Sequence, residues 1–171
     1  MPAPSFWTTE RGETLAQGDL LFSCRVPVFY DPDKADDQAT VDLYDLIVVT
    51  QSCDLANNKV VLVACCPIFS IEDFERVNPV FQRRGEWEQV RRGRHEGLHL
   101  LGSPVEPDNN REALVVDFRE IYALPFQYLS KHAAALGPRW RLVSPYLEHF
   151  SQTLARFFMR VGLPTSIPPY K

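Results

Sequence analysis

The sequence predicts a mainly β domain that ends in a helix. Two observations carry this: a pair of β-branched apolar runs, LYDLIVVTQS (43–52) and NKVVLVACCPIF (58–69), and one long amphipathic stripe in SPYLEHFSQTLARFFMRVG (144–162). Strand signals come first along the chain and helix signals last. With 171 residues, 45% of them hydrophobic, the chain can bury a core of ordinary size without metal or disulfide staples, so 1–171 reads as one domain.

Each element has a local reason. GDLLFSCRVPVFY (18–30) opens with a turn-type Gly-Asp and continues as an apolar strand that Pro27 places at an edge or a bend. DPDKADDQATVD (31–42) is acidic and aperiodic, and reads as a solvated loop. The two central runs are apolar at successive positions, the pattern of strands covered on both faces. Between them, Cys53 to Asn58 supplies the Asp and Asn of a hairpin connection. Cys65 and Cys66, neighbours on one strand, should point to opposite faces as small core hydrophobes. SIEDFERV (70–77) is a short helix with Ser70 as N-cap, Asp73 as its capping-box partner and Asn78-Pro79 as the stop. A helical turn around Trp87, a strand at Leu98–Leu101, a Pro/Asp/Asn loop and a strand at Ala113–Phe118 follow. In the last helix Ser144 is the expected cap, Pro145 the first helical residue and Gly162 the end. Leu147, Phe150, Leu154, Phe157, Phe158 and Val161 form its apolar stripe, with His149, Thr153, Arg156 and Arg160 opposite.

Charge and cysteine usage narrow the functions. A formal charge of -4 excludes coating of nucleic acid by bulk electrostatics and leaves only a local basic patch. MPAPSFWTTERGETL is no secretory leader, and no stretch approaches the roughly 20 apolar residues of a membrane span, so a cytoplasmic protein without a membrane partner is expected. Cys24, Cys53, Cys65 and Cys66 lack the paired spacing of a zinc site and read as thiols; no metal or cofactor is expected.

Two stretches are candidates for chemistry. Gln51, Ser52, Cys53 and Asp54 follow the first central strand and admit three readings: a packed turn, a ligand or partner contact, or thiol catalysis. A nucleophilic cysteine needs a nearby cation, helix N-terminus or histidine, and an adjacent aspartate gives no such help. The structural reading puts Cys53 in a crowded turn at the strand end, with Asp54 bonding loop amides as far as Asn58. His95, His99, His132 and His149 are not placed by sequence. The second stretch is QRRGEWEQVRRGRHEGLH (82–99), where Arg83, Arg84, Arg91, Arg92, Arg94 and His95 surround Trp87. Cations for phosphates beside an aromatic platform are what single-stranded nucleic-acid binders combine. Glu86, Glu88 and Glu96 interrupt the cluster, and the competing reading is an exposed helix laced with i,i+4 pairs.

Taken in order, GDLL opening a strand, LIVVTQS and NKVVLVACCPIFS, ALVVDFREIYALP and LVSPYLEHFSQTLARFF resemble the PemK/MazF group of small toxin-fold proteins, over residues 18 to about 160. The resemblance implies an SH3-like barrel with its core at 18–130 and a C-terminal helix at 144–162, and for true members metal-independent RNA cleavage. The family's Arg-Pro pair falls on Tyr44-Asp45 here, and its Thr on Phe69, leaving Ser70. The family catalytic Arg and Thr are therefore not matched. What the resemblance implies is a bacterial protein that binds RNA or a protein partner, such as an antitoxin-like protein, in a toxin-like or phage-defence setting, alone or as an oligomer. The alternatives are a ribonuclease with relocated residues (Ser70, His149, Arg156, with Cys53 the thiol candidate) and a structural subunit docking on a larger protein. The residues nominated for binding are Gln51, Ser52, Cys53, Asp54, Trp87, Arg91, Arg92, Arg94 and Arg160.

Overall fold

The structure, a computed structural model, describes residues 5–28 and 40–159. Its strands are β1 (Trp7–Glu10), β2 (Leu20–Val28), β3 (Thr40–Val48), β4 (Leu62–Ser70), β5 (Leu98–Leu101), β6 (Leu114–Asp117), β7 (Tyr122–Pro125) and β8 (Arg139–Leu142). Its helices are α1 (Ser52–Ala56), α2 (Ile71–Val77), α3 (Glu86–Arg91), α4 (Phe126–Leu136) and α5 (Tyr146–Phe158).

The main sheet runs β2-β3-β4-β6-β5, antiparallel throughout, with β7 also on β4. β6 and β7 form one interrupted strand along β4: Ser70 opposes Leu114 at one end and Leu62 opposes Pro125 at the other. A second, two-stranded ribbon pairs β1 with β8. Among the described residues no pairing returns β5 to β2, so this is an open mixed α/β architecture and not the closed barrel expected. Helices do the covering that closure would otherwise do.

Both faces of the central strands are indeed covered. Leu46 and Val48 enter one core with Val63, Cys65 and Leu124, roofed by Leu129 and Ala133 of α4 and Leu55 of α1. Ile47 and Cys66 enter the other with Val116 and Phe118, covered by Trp7 and Leu142 of the ribbon and Phe150 of α5. Cys65 and Cys66 thus face opposite cores, as alternation requires. A third cluster, Ile71, Phe74, Phe81, Val90, Leu98 and Val115, packs α2 and α3 against the β5–β6 end.

The ribbon joins the sheet at Gly18-Asp19. Asp19 is fully buried and accepts hydrogen bonds from Arg139 Nε (3.2 Å), Arg141 Nη2 (2.9 Å) and the Ala16 amide (3.1 Å). Arg139, also buried, spends its remaining donors on the carbonyls of Gly12 and Thr14. Gly18 sits at φ +84°, and a Cβ there would lie 2.7 Å from Leu142 Cβ. Only glycine allows β8 to come this close.

Local expectations fared unevenly. Pro27 lies on the edge strand β2, which among the described residues pairs only with β3 and carries a bulge between Leu21 and Cys24. Ser70 caps α2 by accepting the Asp73 amide at 3.0 Å. Of the expected 31–42 loop, residues 31–39 lie outside the described residues and Thr40–Asp42 already belong to β3. The connection after β3 is not a simple hairpin loop but contains α1, with Asn58 at φ 52°. Ser144 does not cap α5; Pro145 takes that position with no side-chain cap bond. Arg160, Val161 and Gly162 lie outside the described residues. The apolar stripe is buried most deeply at Phe150 (0% exposed), half-buried at Leu147, Leu154 and Phe157, and turned outward at Phe158 (59%). β1, β7, α4 and β8 were not expected; the end of the expected core, residue 130, falls inside α4.

Two stability effects follow. Asp19→Ala leaves Arg139 buried without its counter-ion and is expected to cost about 3–5 kcal/mol, read as a lower urea midpoint at unchanged slope. Phe150→Ala is expected to cost about 3–5 kcal/mol and Phe158→Ala less than about 0.5 kcal/mol; equal losses would mean that α5 packs by a different face.

Candidate functional site

The two nominated stretches are separated by the fold. Gln51 stands at the N-cap position of α1, its carbonyl accepting the Asp54 and Leu55 amides. Ser52 Oγ accepts the Gln17 amide at 3.0 Å. The Gln17 side chain, almost wholly buried, donates to the Val49 carbonyl (2.9 Å) and accepts from Ser151 Oγ of α5 (3.0 Å). This turn therefore ties the N-terminal loop, β3 and α5 together. Cys53 is exposed, not buried in a crowded turn, because α1 lifts it out of the strand line. Its thiol reaches only Asp54 Oδ1, at 3.9 Å, among the described residues. The Asp54 carboxylate lies 3.7 Å from Lys59 Nζ, and among the described residues no loop amide donates to it; the Lys59 amide goes to the Asp54 backbone carbonyl instead. The remaining thiols are buried, and burial pushes them up, Cys24 and Cys66 to about 12, with Asp45 and Asp117 respectively adding to the effect.

The arginine stretch and the last helix, by contrast, meet. A cavity of about 520 Å³ is lined by Arg91, Arg92 and His95 around α3, His99 of β5, and His149, Thr153 and Arg156 of α5. Gly97, at φ +85°, permits the closure: a Cβ there would stand 2.7 Å from Arg119 Cγ and 3.1 Å from the Phe157 ring. Glu88 holds both arginines, accepting from Arg91 Nε (2.6 Å) and Nη2 (2.7 Å) and from Arg92 Nε (2.7 Å). These bonds, Arg91 first and then Arg92, keep its carboxyl far below the usual range, at about 2. His95 Nε2 lies 3.0 Å from Glu86.

Other nominated residues point elsewhere. Arg94 bonds Gln89 (3.0 Å) and is not among the residues lining the cavity; neither are Arg83 and Arg84. Trp87 packs against Phe74 and Phe81, with Nε1 donating to Glu75 at 2.8 Å, and faces a second, smaller cleft. Ser70 is spent on the α2 cap, its hydroxyl donating to Asp73 Oδ2 at 2.7 Å, and lines a third cleft with Asp45. Gln51, Ser52, Cys53 and Asp54 line none of these cavities.

The floor of the groove holds a residue that sequence left unplaced. His99 is 6% exposed and packs beside Phe118 and Phe150, its ring 5.3 Å from that of His149. Among the described residues its imidazole has no hydrogen-bond partner, yet no buried side-chain nitrogen is left unsatisfied, so its nitrogens open into the groove. Burial first, and His149 second, push its pKa down to about 3. His99 is neutral at physiological pH and offers the groove both a donor and an acceptor nitrogen. The strand expected at Leu98–Leu101 included it, but only the fold sets it opposite α5.

Among the described residues no group of three or more His, Cys, Asp or Glu is placed to hold a metal ion, and no helix is long and apolar enough to cross a membrane. Comparison with protein-family models, curated proteins and solved structures finds no match to this chain.

The buried imidazole has a pH signature. Its folded pKa of about 3 lies below the ordinary 6.5, so the unfolded chain takes up the proton first. Stability from this group is complete above about pH 6.5 and is lost as pH falls toward 3. His99→Leu is expected to flatten the fall in Tm between pH 7 and pH 5 measured by thermal melts; a fall as steep as in the wild type would refute the neutral, buried state.

Proposed function

We propose that this protein binds single-stranded RNA through the groove between α3, β5 and α5, as a divergent PemK/MazF-like protein acting in a bacterial toxin-like or phage-defence setting. The observation that carries this reading is convergence: Arg91 and Arg92 from one segment and Arg156 from another line one cavity with His95, His99 and His149. In a chain of net charge -4, these cations, gathered from elements some 60 residues apart in sequence and joined in the lining by the single carboxylate of Glu96, favour a local anion site over a general basic surface. The open antiparallel sheet would be an opened form of the family's SH3-like barrel, with helices over the faces.

A second reading has its own support. The His99 and His149 rings lie 5.3 Å apart beside Arg156, which is the equipment for general acid–base cleavage of a phosphodiester with a cation for the developing charge. In that reading His149 accepts the 2′-hydroxyl proton, the neutral His99, too weak a base for that step, donates its N–H to a phosphate oxygen, and water protonates the leaving oxygen. Ser70 has no part in it, since its cleft is separate.

Replacing Arg91, Arg92 and Arg156 together by alanine is expected to weaken binding of a single-stranded RNA oligonucleotide. The log–log salt slope should flatten by about 2, at roughly 0.7 per lost phosphate contact. Cys53→Ser should leave binding unchanged. An unaltered slope would remove the groove from RNA binding, and absence of binding in the wild type would favour the structural-subunit alternative. Cleavage in EDTA that disappears in His149→Ala would establish the second reading.

A further inference from the structure

The groove does not end at Arg91. Arg91 and Leu100 form a common wall with the second cleft, about 220 Å³ in volume, whose other lining residues include Ile71, Trp87, Leu101, Asn110 and Ala113. We infer that this cleft is a nucleobase subsite: it takes one unstacked base of the strand whose phosphates lie in the groove, an inference that rests on the RNA-binding reading above.

Three observations point to a planar heteroaromatic occupant. The cleft is mostly apolar, with Ile71 and Leu101 buried beneath it, so it favours a group that gains by leaving water. Its aromatic wall is fixed in place. Trp87 Nε1 donates to Glu75 Oε1, and Glu75 is itself gripped by Arg111, Nη1 to Oε1 at 2.8 Å and Nη2 to Oε2 at 2.9 Å. Phe74 and Phe81 pack the same indole at 5.8 and 5.0 Å between centroids. A preorganised ring loses little freedom when a base stacks on it. Finally, polar groups accompany the apolar lining: Glu88 is there with its carboxylate taken up by Arg91 and Arg92, and the exposed Asn110 amide can both donate to and accept from a base edge.

Arg91 links the two cavities. It lines both of them, with Nε and Nη2 held by Glu88, so a strand with a phosphate in the groove and a base in the cleft would pass over it. The expected Trp87 platform and the expected phosphate arginines are thus assigned to adjoining compartments of one site.

The test compares a labelled single-stranded RNA oligonucleotide with the same oligonucleotide made abasic, by fluorescence anisotropy at fixed salt. Wild-type protein is expected to prefer the base-bearing strand by about tenfold, as one stacked base supplies. Ala113→Leu, which fills the cleft, should abolish that preference while leaving affinity for the abasic strand unchanged. Asn110→Ala, at an exposed position that folding does not depend on, should reduce the preference and alter its dependence on base identity. Equal binding of both strands by the wild type, or an undiminished preference in Ala113→Leu and Asn110→Ala, would overturn the subsite while leaving phosphate binding in the groove intact. No binding of either strand would overturn the groove and the subsite together.

Discussion

One buried carboxylate organises this molecule. Asp19 closes the start of β2, receives Arg139 and Arg141 from β8, and holds the Ala16 amide of its own turn. A single buried anion facing two cations would be a poor bargain unless every donor found an acceptor. The carbonyls of Gly12 and Thr14 take up the remaining guanidinium donors of Arg139, and Glu10 approaches Arg141 at 3.7 Å. The arrangement is specific because it is costly to misalign. It fixes the β1–β8 ribbon against the sheet, and α5 begins four residues after β8 ends.

That placement determines what α5 can do. Phe150 anchors the helix in the second core, and Ser151 fastens it to Gln17, which Ser52 holds in turn. The opposite side of the helix, at His149, Thr153 and Arg156, is left as one wall of the groove. The Gln51–Asp54 turn thus contributes to the site from a distance, by fastening the helix. This accounts for a chemically suggestive sequence in a turn whose serine makes a tertiary hydrogen bond and whose thiol, among the described residues, makes none.

How much of this could be read from sequence depended on whether the determinant was local. Runs of β-branched residues announced β3 and β4 because alternation is broken only where both faces are buried, and Leu46 and Ile47 do enter different cores. Ser70 announced α2 because a cap bond spans three residues. α4 was missed because Pro125 offers no side-chain cap and its apolar stripe, Phe126, Leu129 and Ala133, is short and alanine-rich. β1 and β8 were missed because their pairing spans more than 120 residues. The arginines and the last helix were each visible as polar faces, but no local pattern says that they share a cavity, or that His99 lies beneath them.

Glu88 gives the groove a resting state. In the free protein the guanidiniums of Arg91 and Arg92 are not bare charges, since three of their donors are occupied by one carboxylate. Any anion that enters must compete with an internal competitor of fixed geometry and local concentration. Weak or singly contacting anions lose this exchange; a polymer that presents several phosphates at once wins it by summing contacts. A groove with such a built-in counter-ion discriminates by valency, admitting a multivalent anion and refusing a small one.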